Sequence, residues 1–306
     1  GYKKLNGSQI SKENITYILN TCKSIVNETE SNKKILHIFN SKYNLDNQKV
    51  ENLPIGLFGD FYSHELSFIL INKNDYKNLK NLFANCNLKI KKILVKNFVK
   101  GANISQNYKI ETFFYLRICK SNSNIFYFEN DSLKLEQNFS FGTDIIIKDI
   151  SKITSLKRDT VIKILNEIEF KQDISEDDLI EEKFFKEDNY IKIKKKLIYE
   201  IALARINEIL EIIVFKNINF KSNYKYLNNL FFEVNFELDF KFFEEIFKKV
   251  IIDTKNYKLI LLNNLSDKSI VNSANKIVHF GWKKEAIPVS QFRKSLIARF
   301  FDKIFG

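Results

Sequence analysis

Histidine and cysteine side chains could provide nucleophilic catalysis or metal binding, and the 306-residue sequence contains three of each. The histidines are His37, His64 and His279, and the cysteines are Cys22, Cys86 and Cys119. No histidine is beside a residue that would complete a catalytic triad, and the cysteines lack the spacing of a structural zinc site. Their odd number and wide separation favour a reducing compartment over a disulfide framework. The sequence therefore predicts neither a histidine-based hydrolase nor a metal site.

The C-terminal residues 289–306 could bind a membrane surface. Large apolar side chains recur there at helical spacing and basic side chains lie off that stripe, as in a helix that lies in a membrane interface. The candidate lipid-contacting residues are Phe292, Arg293, Lys294, Leu296, Ile297, Arg299, Phe300, Phe301, Lys303, Ile304 and Phe305. Burial of each Phe or Leu would contribute ~1.5–3 kcal/mol, and each basic residue ~1 kcal/mol beside anionic lipid. We expect reversible attachment after a flexible, Pro-containing joint at 283–290; the alternative is a helix docked on the protein's own core.

The charge balance predicts a negatively charged partner. Lys and Arg outnumber Asp and Glu by 49 to 37, which gives a net charge of +12, while a 44% apolar content is sufficient for a sizeable core. Basic runs with interleaved aromatic residues, such as 89–100, raise the alternative of a nucleic-acid-binding protein. The sequence has no helix-turn-helix, RRM or zinc pattern. We therefore expect anionic membrane lipids as the partner and no nucleic acid.

Hydrophobic periodicity predicts alternating groups of strands and helices. The predicted helices are 9–26 with Ser11 as N-cap, 73–86, 143–153, 157–169 and 190–216. The predicted strands are 33–46, 64–72, 88–95, a three-stranded antiparallel meander over 110–147, and 258–264. A Pro/Gly turn is expected at 52–60 and a solvated acidic connection at 171–189. This order predicts an α/β or α+β architecture.

The order of elements resembles the FtsA family, the actin-like bacterial cell-division proteins that tether FtsZ filaments to the membrane. The similarity is densest over residues 9–104, where LHIF at 36–39, YNLD at 43–46 and PIGLFG at 54–59 match the family's small inserted subdomain. The resemblance implies an α/β, actin-like (ribonuclease H-like) two-domain fold with an inserted α+β subdomain, incomplete at the N-terminus.

The resemblance also implies a division of the chain. Residues 1–87 would be the FtsA-type inserted subdomain, 88–155 the remainder of the first actin-like domain and 156–282 the second. Residues 283–306 would be a linker and the amphipathic membrane-targeting helix.

A helix at 198–209 resembles the family helix near which the conserved FtsZ C-terminal tail binds. The resemblance implies partner binding at Arg205 and Glu208, and lysines at 194–196 would add positive charge for an acidic tail. It further implies self-association through the inserted subdomain, other division proteins as possible partners, and a peripheral location on the cytoplasmic face of the cell membrane at the septum.

The family's ATP and Mg²⁺ site is altered in this sequence. The family hairpin, of the form D-x-G-G-G-T-x-D, lets main-chain amides approach phosphates and supplies a carboxylate for the metal. The residues in register here are Arg117, Cys119, Lys120, Ser121, Asn122 and Asn124, and the adenosine-side G-G turn has become Asn263 and Asn264. We therefore expect no well-formed cofactor site, no metal and no enzymatic activity. The leading hypothesis is a membrane adaptor in cell division; the alternatives are a basic nucleic-acid-binding protein and a still-active actin-like ATPase.

Overall fold

The computed structural model describes residues 1–168, 175, 177–185, 189–221, 229–234, 241–253, 258–262 and 266–286. The chain divides into two compact units. Unit 1 comprises Gly1–Asn103, Asn130–Ser132 and Ile270–Gly306, and unit 2 comprises Ile104–Glu129 and Leu133–Ser269. The domain boundaries expected at 87, 155 and 282 do not coincide with these units and stay a prediction.

Unit 1 is built on a four-stranded sheet. Its elements are β1 (Tyr2–Lys4), α1 (Lys12–Thr29), β2 (Lys33–Leu45), β3 (Gln48–Val50), β4 (Phe61–Asn72) and α2 (Lys73–Asn85). The strand order is β1-β4-β2-β3 and all pairs are antiparallel. The predicted N-cap is confirmed, since the Ser11 hydroxyl accepts a hydrogen bond from the amide of Asn14 at 3.3 Å. Helix α1 buries Ile15, Ile18 and Leu19, as its apolar periodicity predicts.

The strand predicted at 88–95 is wrong. Residues 88–95 belong to no helix or strand, and α3 (Lys96–Tyr108) begins directly after them. The apolar alternation that suggested a strand changes phase at Lys91 and Lys92, so a strand here could not keep one face apolar.

Unit 2 contains a five-stranded mixed sheet. Its elements are β5 (Phe113–Ile118), β6 (Ser123–Glu129), β7 (Ser132–Phe139), α4 (Asp144–Thr154), α5 (Arg158–Glu167), a 3₁₀ turn (Glu182–Phe184), α6 (Lys195–Leu210), a π-helical turn (Glu211–Phe215), α7 (Ile218–Lys221), β8 (Asn229–Val234), α8 (Lys241–Asp253), β9 (Lys258–Leu261) and α9 (Asp267–Phe280), whose residues from Ile270 belong to unit 1. The sheet order is β7-β6-β5-β8-β9, which contains the predicted meander. The β5–β6 pair is antiparallel, whereas β5–β8 and β8–β9 are parallel.

The core of unit 2 lies between its central strands and its helices. Phe114, Leu116 and Ile118 on β5 pack in one cluster with Leu230 and Phe232 on β8. Successive residues of β5 are buried, from Phe113 to Leu116, because a strand in the middle of a sheet covered on both faces has no solvent side. The apolar faces of α4, α5, α6 and α8 complete the cluster.

The described part of the predicted flexible joint, residues 283–286, is held in place. The amide of Asn40 donates to the carbonyl of Lys284 at 2.8 Å, and the amide of Ala286 donates to the carbonyl of Ile38 at 2.7 Å. The Trp282 indole also donates to the carbonyl of Asp131 at 2.8 Å. The expectation of flexibility is therefore wrong for 283–286, because β2 offers these residues free main-chain groups.

Candidate functional site

The β5–β6 hairpin occupies the position of the phosphate hairpin implied by the resemblance. Its turn, residues 119–122, is closed by a hydrogen bond from the amide of Cys119 to the carbonyl of Asn122 at 2.9 Å. The carbonyls of Cys119 and Lys120 accept from the amides of Thr143 and Asp144, at 3.0 and 2.9 Å, where α4 begins. Helix N-terminal amides commonly bind phosphate, but in this molecule the hairpin's own carbonyls use them.

Gly142 makes this close approach possible. A Cβ atom at Gly142 would lie 2.0 Å from the carbonyl oxygen of Cys119 and 2.7 Å from that of Lys120. No side chain can be accommodated against main-chain atoms at such distances. A single glycine just before α4 is thus required by the contact between the turn and the helix.

The strand residues beside the turn form a polar cluster inside unit 2. Arg117 is opposite Asn124 on β6 and in register with Glu233 on β8. The Tyr115 hydroxyl donates to the Glu233 carboxylate. Burial, together with the charge of Glu233, raises the pKa of Tyr115 far above its ordinary value. The Nε atom of Arg117 is buried and has no hydrogen-bond partner among the described residues.

The placed residues do not fit the phosphates and Mg²⁺ of ATP in the manner that the resemblance implies. The turn directs carbonyl groups, not amides, at the start of α4, and Arg117 stands where the family has a metal-positioning carboxylate. Asn124 donates its side-chain amide to Asn138, and Ser121 and Asn122 lie in the turn itself. Among the described residues, no group of three or more His, Cys, Asp or Glu side chains could hold a metal ion. Asn263 and Asn264 lie outside the described residues.

The two predicted partner-binding residues lie together on α6 and are already paired. The Arg205 guanidinium donates to the Asp149 carboxylate on α4 and to the Glu208 carboxylate one turn along α6. The Glu208 side chain is 53% exposed and the Arg205 side chain 28%. The start of α6 lies beside the acidic stretch, since the amide of Lys195 donates to the carbonyl of Asp178 at 2.8 Å.

The predicted membrane-binding residues, from Phe292 to Phe305, lie outside the described residues. Within the part of the chain that the structure describes, no helix is both long and apolar enough to cross a membrane.

A charged cluster in unit 1 escaped the sequence analysis. Glu285 lies 3.0 Å from Nδ1 of His37 and 2.8 Å from Nζ of Lys92. The His37 Nε2 atom accepts a hydrogen bond from the amide of Val95 at 3.4 Å, so Nδ1 carries the proton that is donated to Glu285. Burial by itself would raise the pKa of Glu285, but the hydrogen bonds from His37 and Lys92 outweigh it and lower that pKa. His37 and Glu285 are 248 residues apart in sequence, so no local pattern could indicate the pair.

A pocket of about 490 Å³ lies in unit 1 beside α2. Its apolar lining residues are Leu79, Phe83, Leu88, Ile90, Ile93 and Val278. Its charged lining residues are all lysines, at positions 89, 91 and 92. The signal for it in the sequence was the strand-like run at 88–95, which pairs with no strand of the described residues.

Comparison with solved structures gives distant actin-like neighbours. A chain of the PilM–PilN type IV pilus biogenesis complex is 9% identical, with a TM-score of 0.46 and coverage of 92% of this chain and 74% of that one. The crystal structure of MreB 5 of Spiroplasma citri bound to AMPPNP is 9% identical, with a TM-score of 0.43 and coverage of 68% and 65%. The expected α/β class is confirmed by the helices and two sheets of the described residues.

The same comparison corrects one expectation. We expected no enzymatic activity, but the structural neighbours include MreB 5 of Spiroplasma citri bound to AMPPNP and Ta0583, an archaeal actin homolog. The prediction that the chain is not an enzyme is therefore wrong as stated. The altered hairpin is one loop of this chain, and its sequence alone does not determine whether the chain has enzymatic activity.

Sequence comparison agrees with the resemblance. No family model matches the chain. The cell division protein FtsA of Buchnera aphidicola subsp. Schizaphis graminum (strain Sg) is 23% identical over 223 residues, which are 70% of this chain and 51% of the relative. The chain thus spans about half the length of the curated relative that it matches. The predicted likeness to FtsA is confirmed, and the chain is similar to a divergent FtsA.

Proposed function

We propose that this chain is an actin-like cell-division protein that acts as a peripheral membrane adaptor. It would link FtsZ filaments to the cytoplasmic face of the cell membrane at the division septum. The similarity to FtsA over 223 residues is the observation that carries the proposal. The amphipathic pattern of residues 289–305 and the paired basic surface on α6 support its two halves.

The membrane half rests on the sequence of 289–306 and on the residues before it. Residues 283–286 are fixed to β2 by main-chain hydrogen bonds, and Lys283 pairs with Asp131 at 2.5 Å. A membrane-bound segment that follows them would therefore be attached directly to the sheet of unit 1.

Vesicle co-sedimentation tests the membrane half. The full chain is expected to pellet with vesicles that contain phosphatidylglycerol and not with neutral ones, because the basic residues add electrostatic attraction. The double variant Phe300→Asp/Phe301→Asp is expected to stay in the supernatant. The matched control is Phe280→Asp, which changes a phenylalanine that is 69% exposed on α9. Equal sedimentation of the double variant and the control would refute membrane attachment through this segment.

The FtsZ half rests on the ion pairs of Arg205. An acidic tail would compete with Glu208, the more exposed of its two carboxylate partners. Replacing Glu208 with Gln should then strengthen binding of a labelled FtsZ C-terminal tail peptide by about threefold to tenfold, and Arg205→Gln should weaken it similarly. Glu211→Gln, which breaks the exposed pair of Glu211 with Lys216, is the control. Changes of equal size in all three variants would contradict tail binding at Arg205.

Self-association through unit 1 completes the proposal. The turn that includes the PIGLFG motif leaves Ile55, Leu57 and Phe58 exposed, with Phe58 at 69%. Burial of such side chains between copies would be favourable. Sedimentation velocity should show a concentration-dependent oligomer that Phe58→Ser shifts toward monomer.

A further inference from the structure

Helix α2 differs from α1 in that it buries none of its residues. It nevertheless carries Leu79 and Phe83, which line the pocket, and Phe83 is 36% exposed. Leu88, which follows α2, is 58% exposed. Exposed apolar groups that line a concave surface are more informative than single exposed residues, because they mark sites of binding. The 490 Å³ pocket lies at this surface and falls within the usual size range of ligand sites.

The main chain beside the pocket is also unsatisfied. Leu88 donates its amide to the carbonyl of Phe83 at 2.9 Å, and Val95 donates to His37. Between these two points, the main-chain groups of residues 89–94 form no hydrogen bond with any described residue. A row of free donors and acceptors next to an apolar pocket is the arrangement to which an extended peptide can bind through its own main chain.

The charges at the pocket have one sign. Lys89 and Lys91 are exposed and make no ion pair with any described residue. Lys92 is paired with Glu285. No acidic side chain belongs to the described lining, so the rim complements a negatively charged partner.

We infer that this surface is a binding site for an acidic peptide segment with apolar side chains. The peptide would pair its main chain with residues 89–94, insert an apolar side chain among Leu79, Phe83 and Ile93, and place carboxylates beside Lys89 and Lys91. A nucleic acid would also meet the lysines, but it stacks its bases on aromatic side chains, and Phe83 is the one aromatic residue of the described lining. The aliphatic lining therefore favours a peptide. This inference does not depend on the proposed function.

Fluorescence anisotropy of the full chain with a labelled peptide of about ten residues, in which Glu or Asp alternates with Leu or Phe, tests the site. We expect saturable binding that is lost when Lys replaces the acidic residues or Ser replaces the apolar ones. The double variant Lys89→Glu/Lys91→Glu is expected to weaken binding at least about tenfold, which corresponds to ~1.4 kcal/mol. Both lysines are exposed, so the folded state should persist.

The control is Lys4→Glu/Lys49→Glu, which makes the same change in net charge at two exposed lysines elsewhere in unit 1. It should leave the peptide affinity within about twofold. A second variant, Phe83→Ser/Leu88→Ser, should weaken binding while the net charge is unchanged.

Three results would overturn the inference. The first is an equal loss in the control and in Lys89→Glu/Lys91→Glu, which would indicate nonspecific attraction by the whole charged chain. The second is full affinity in Phe83→Ser/Leu88→Ser. The third is displacement of the peptide by single-stranded oligothymidylate at physiological salt, with tighter binding of the oligonucleotide than of the peptide, which would assign the surface to nucleic acid.

Discussion

Two short connecting segments, the turn 119–122 and the segment 88–94, differ in the hydrogen bonding of their main-chain groups. In the turn, the amide of Cys119 and the carbonyls of Cys119 and Lys120 all have partners within unit 2. In the segment, residues 89–94 have none among the described residues of unit 1. Folding has paired these groups of the turn within unit 2, whereas residues 89–94 leave their main-chain hydrogen-bonding groups to water or to a partner.

This difference makes the segment 88–94 a better candidate binding site than the turn. The family resemblance implies the opposite, since the corresponding hairpin of actin-like proteins holds phosphate. The structure gives the free donors, the apolar cavity and the unpaired cations to the other segment. Main-chain groups that are already paired have little to gain from a ligand, because binding would only exchange one hydrogen bond for another.

Hydrogen exchange should show the largest difference between the two segments. The amides of Thr143 and Asp144, bonded to the turn and at the start of a helix packed on the core, should exchange only by extensive unfolding. The amides of residues 89–94 should exchange at nearly the unprotected rate. The difference in opening free energy is expected to be several kcal/mol, since protection ranges from about zero to the full stability of the domain. Comparable protection in the two segments, measured by exchange with mass spectrometry on short peptides, would abolish the contrast.

Gly142→Ala should destabilise the turn by about 3 kcal/mol, because the new methyl group overlaps main-chain oxygens that cannot move without breaking their hydrogen bonds. Urea unfolding of unit 2 would measure the loss. Gly59→Ala is the control: its Cβ would meet side-chain atoms and no main-chain atom, Cδ1 of Leu45 at 2.4 Å and Oδ2 of Asp46 at 2.8 Å, and the end of Leu45 can rotate away. A smaller cost for Gly142→Ala than for Gly59→Ala would show that the turn is looser than its contacts indicate.

Local patterns predicted most of the elements and failed where a distant partner decided the outcome. The cap at Ser11, the helix over α1 and the β5–β6–β7 meander follow from nearby residue types, and the structure has them. The predicted helix 190–216 is instead an α-helix from Lys195 to Leu210 followed by a π-helical turn. The pattern of apolar residues cannot distinguish these two forms. A single π-helical turn differs from the α-helix by one more residue per hydrogen-bonded turn, and packing decides where it forms.

The site was less predictable than the fold. Arg205 and Glu208 could be placed on one helix face from their spacing, since residues three apart are neighbours. The bond from Arg205 to Asp149 depends on the packing of α4 on α6, and the pair of His37 with Glu285 joins residues 248 apart. The apolar run at 88–95 predicted burial in a strand, yet a strand needs a neighbour that the described chain does not provide.

Glu285→Gln tests the ion pair that attaches Lys92, in the segment 88–94, to Glu285. The carboxylate receives hydrogen bonds from His37 and Lys92, so we expect a loss of about 1–3 kcal/mol at neutral pH. Because the pKa of Glu285 is lower in the folded state than its ordinary value of 4.5, its contribution is complete above that value. The contribution then disappears as the pH falls through the folded pKa.

Unfolding curves at several pH values should therefore show the wild type and Glu285→Gln converging in acid. Glu51→Gln changes an exposed carboxylate in the same unit and should behave as the wild type throughout. A difference between wild type and Glu285→Gln that stays constant from neutral to acidic pH would mean that the carboxylate's charge is not what holds Lys92 and His37.

Leu88→Ser should have the smallest effect, a change in unfolding free energy within about 0.5 kcal/mol, because the side chain is 58% exposed and loses little buried area. The buried Leu19 on α1 provides the comparison, since Leu19→Ala should cost about 2–5 kcal/mol through loss of packing. A leucine that contributes almost nothing to stability still has exposed apolar area. Burial of that area by a partner would favour binding. If Leu88→Ser instead costs as much as Leu19→Ala, the Leu88 side chain is part of the core of unit 1. The segment 88–94 would then be a structural connection, and Leu88 would not be available to bind a peptide.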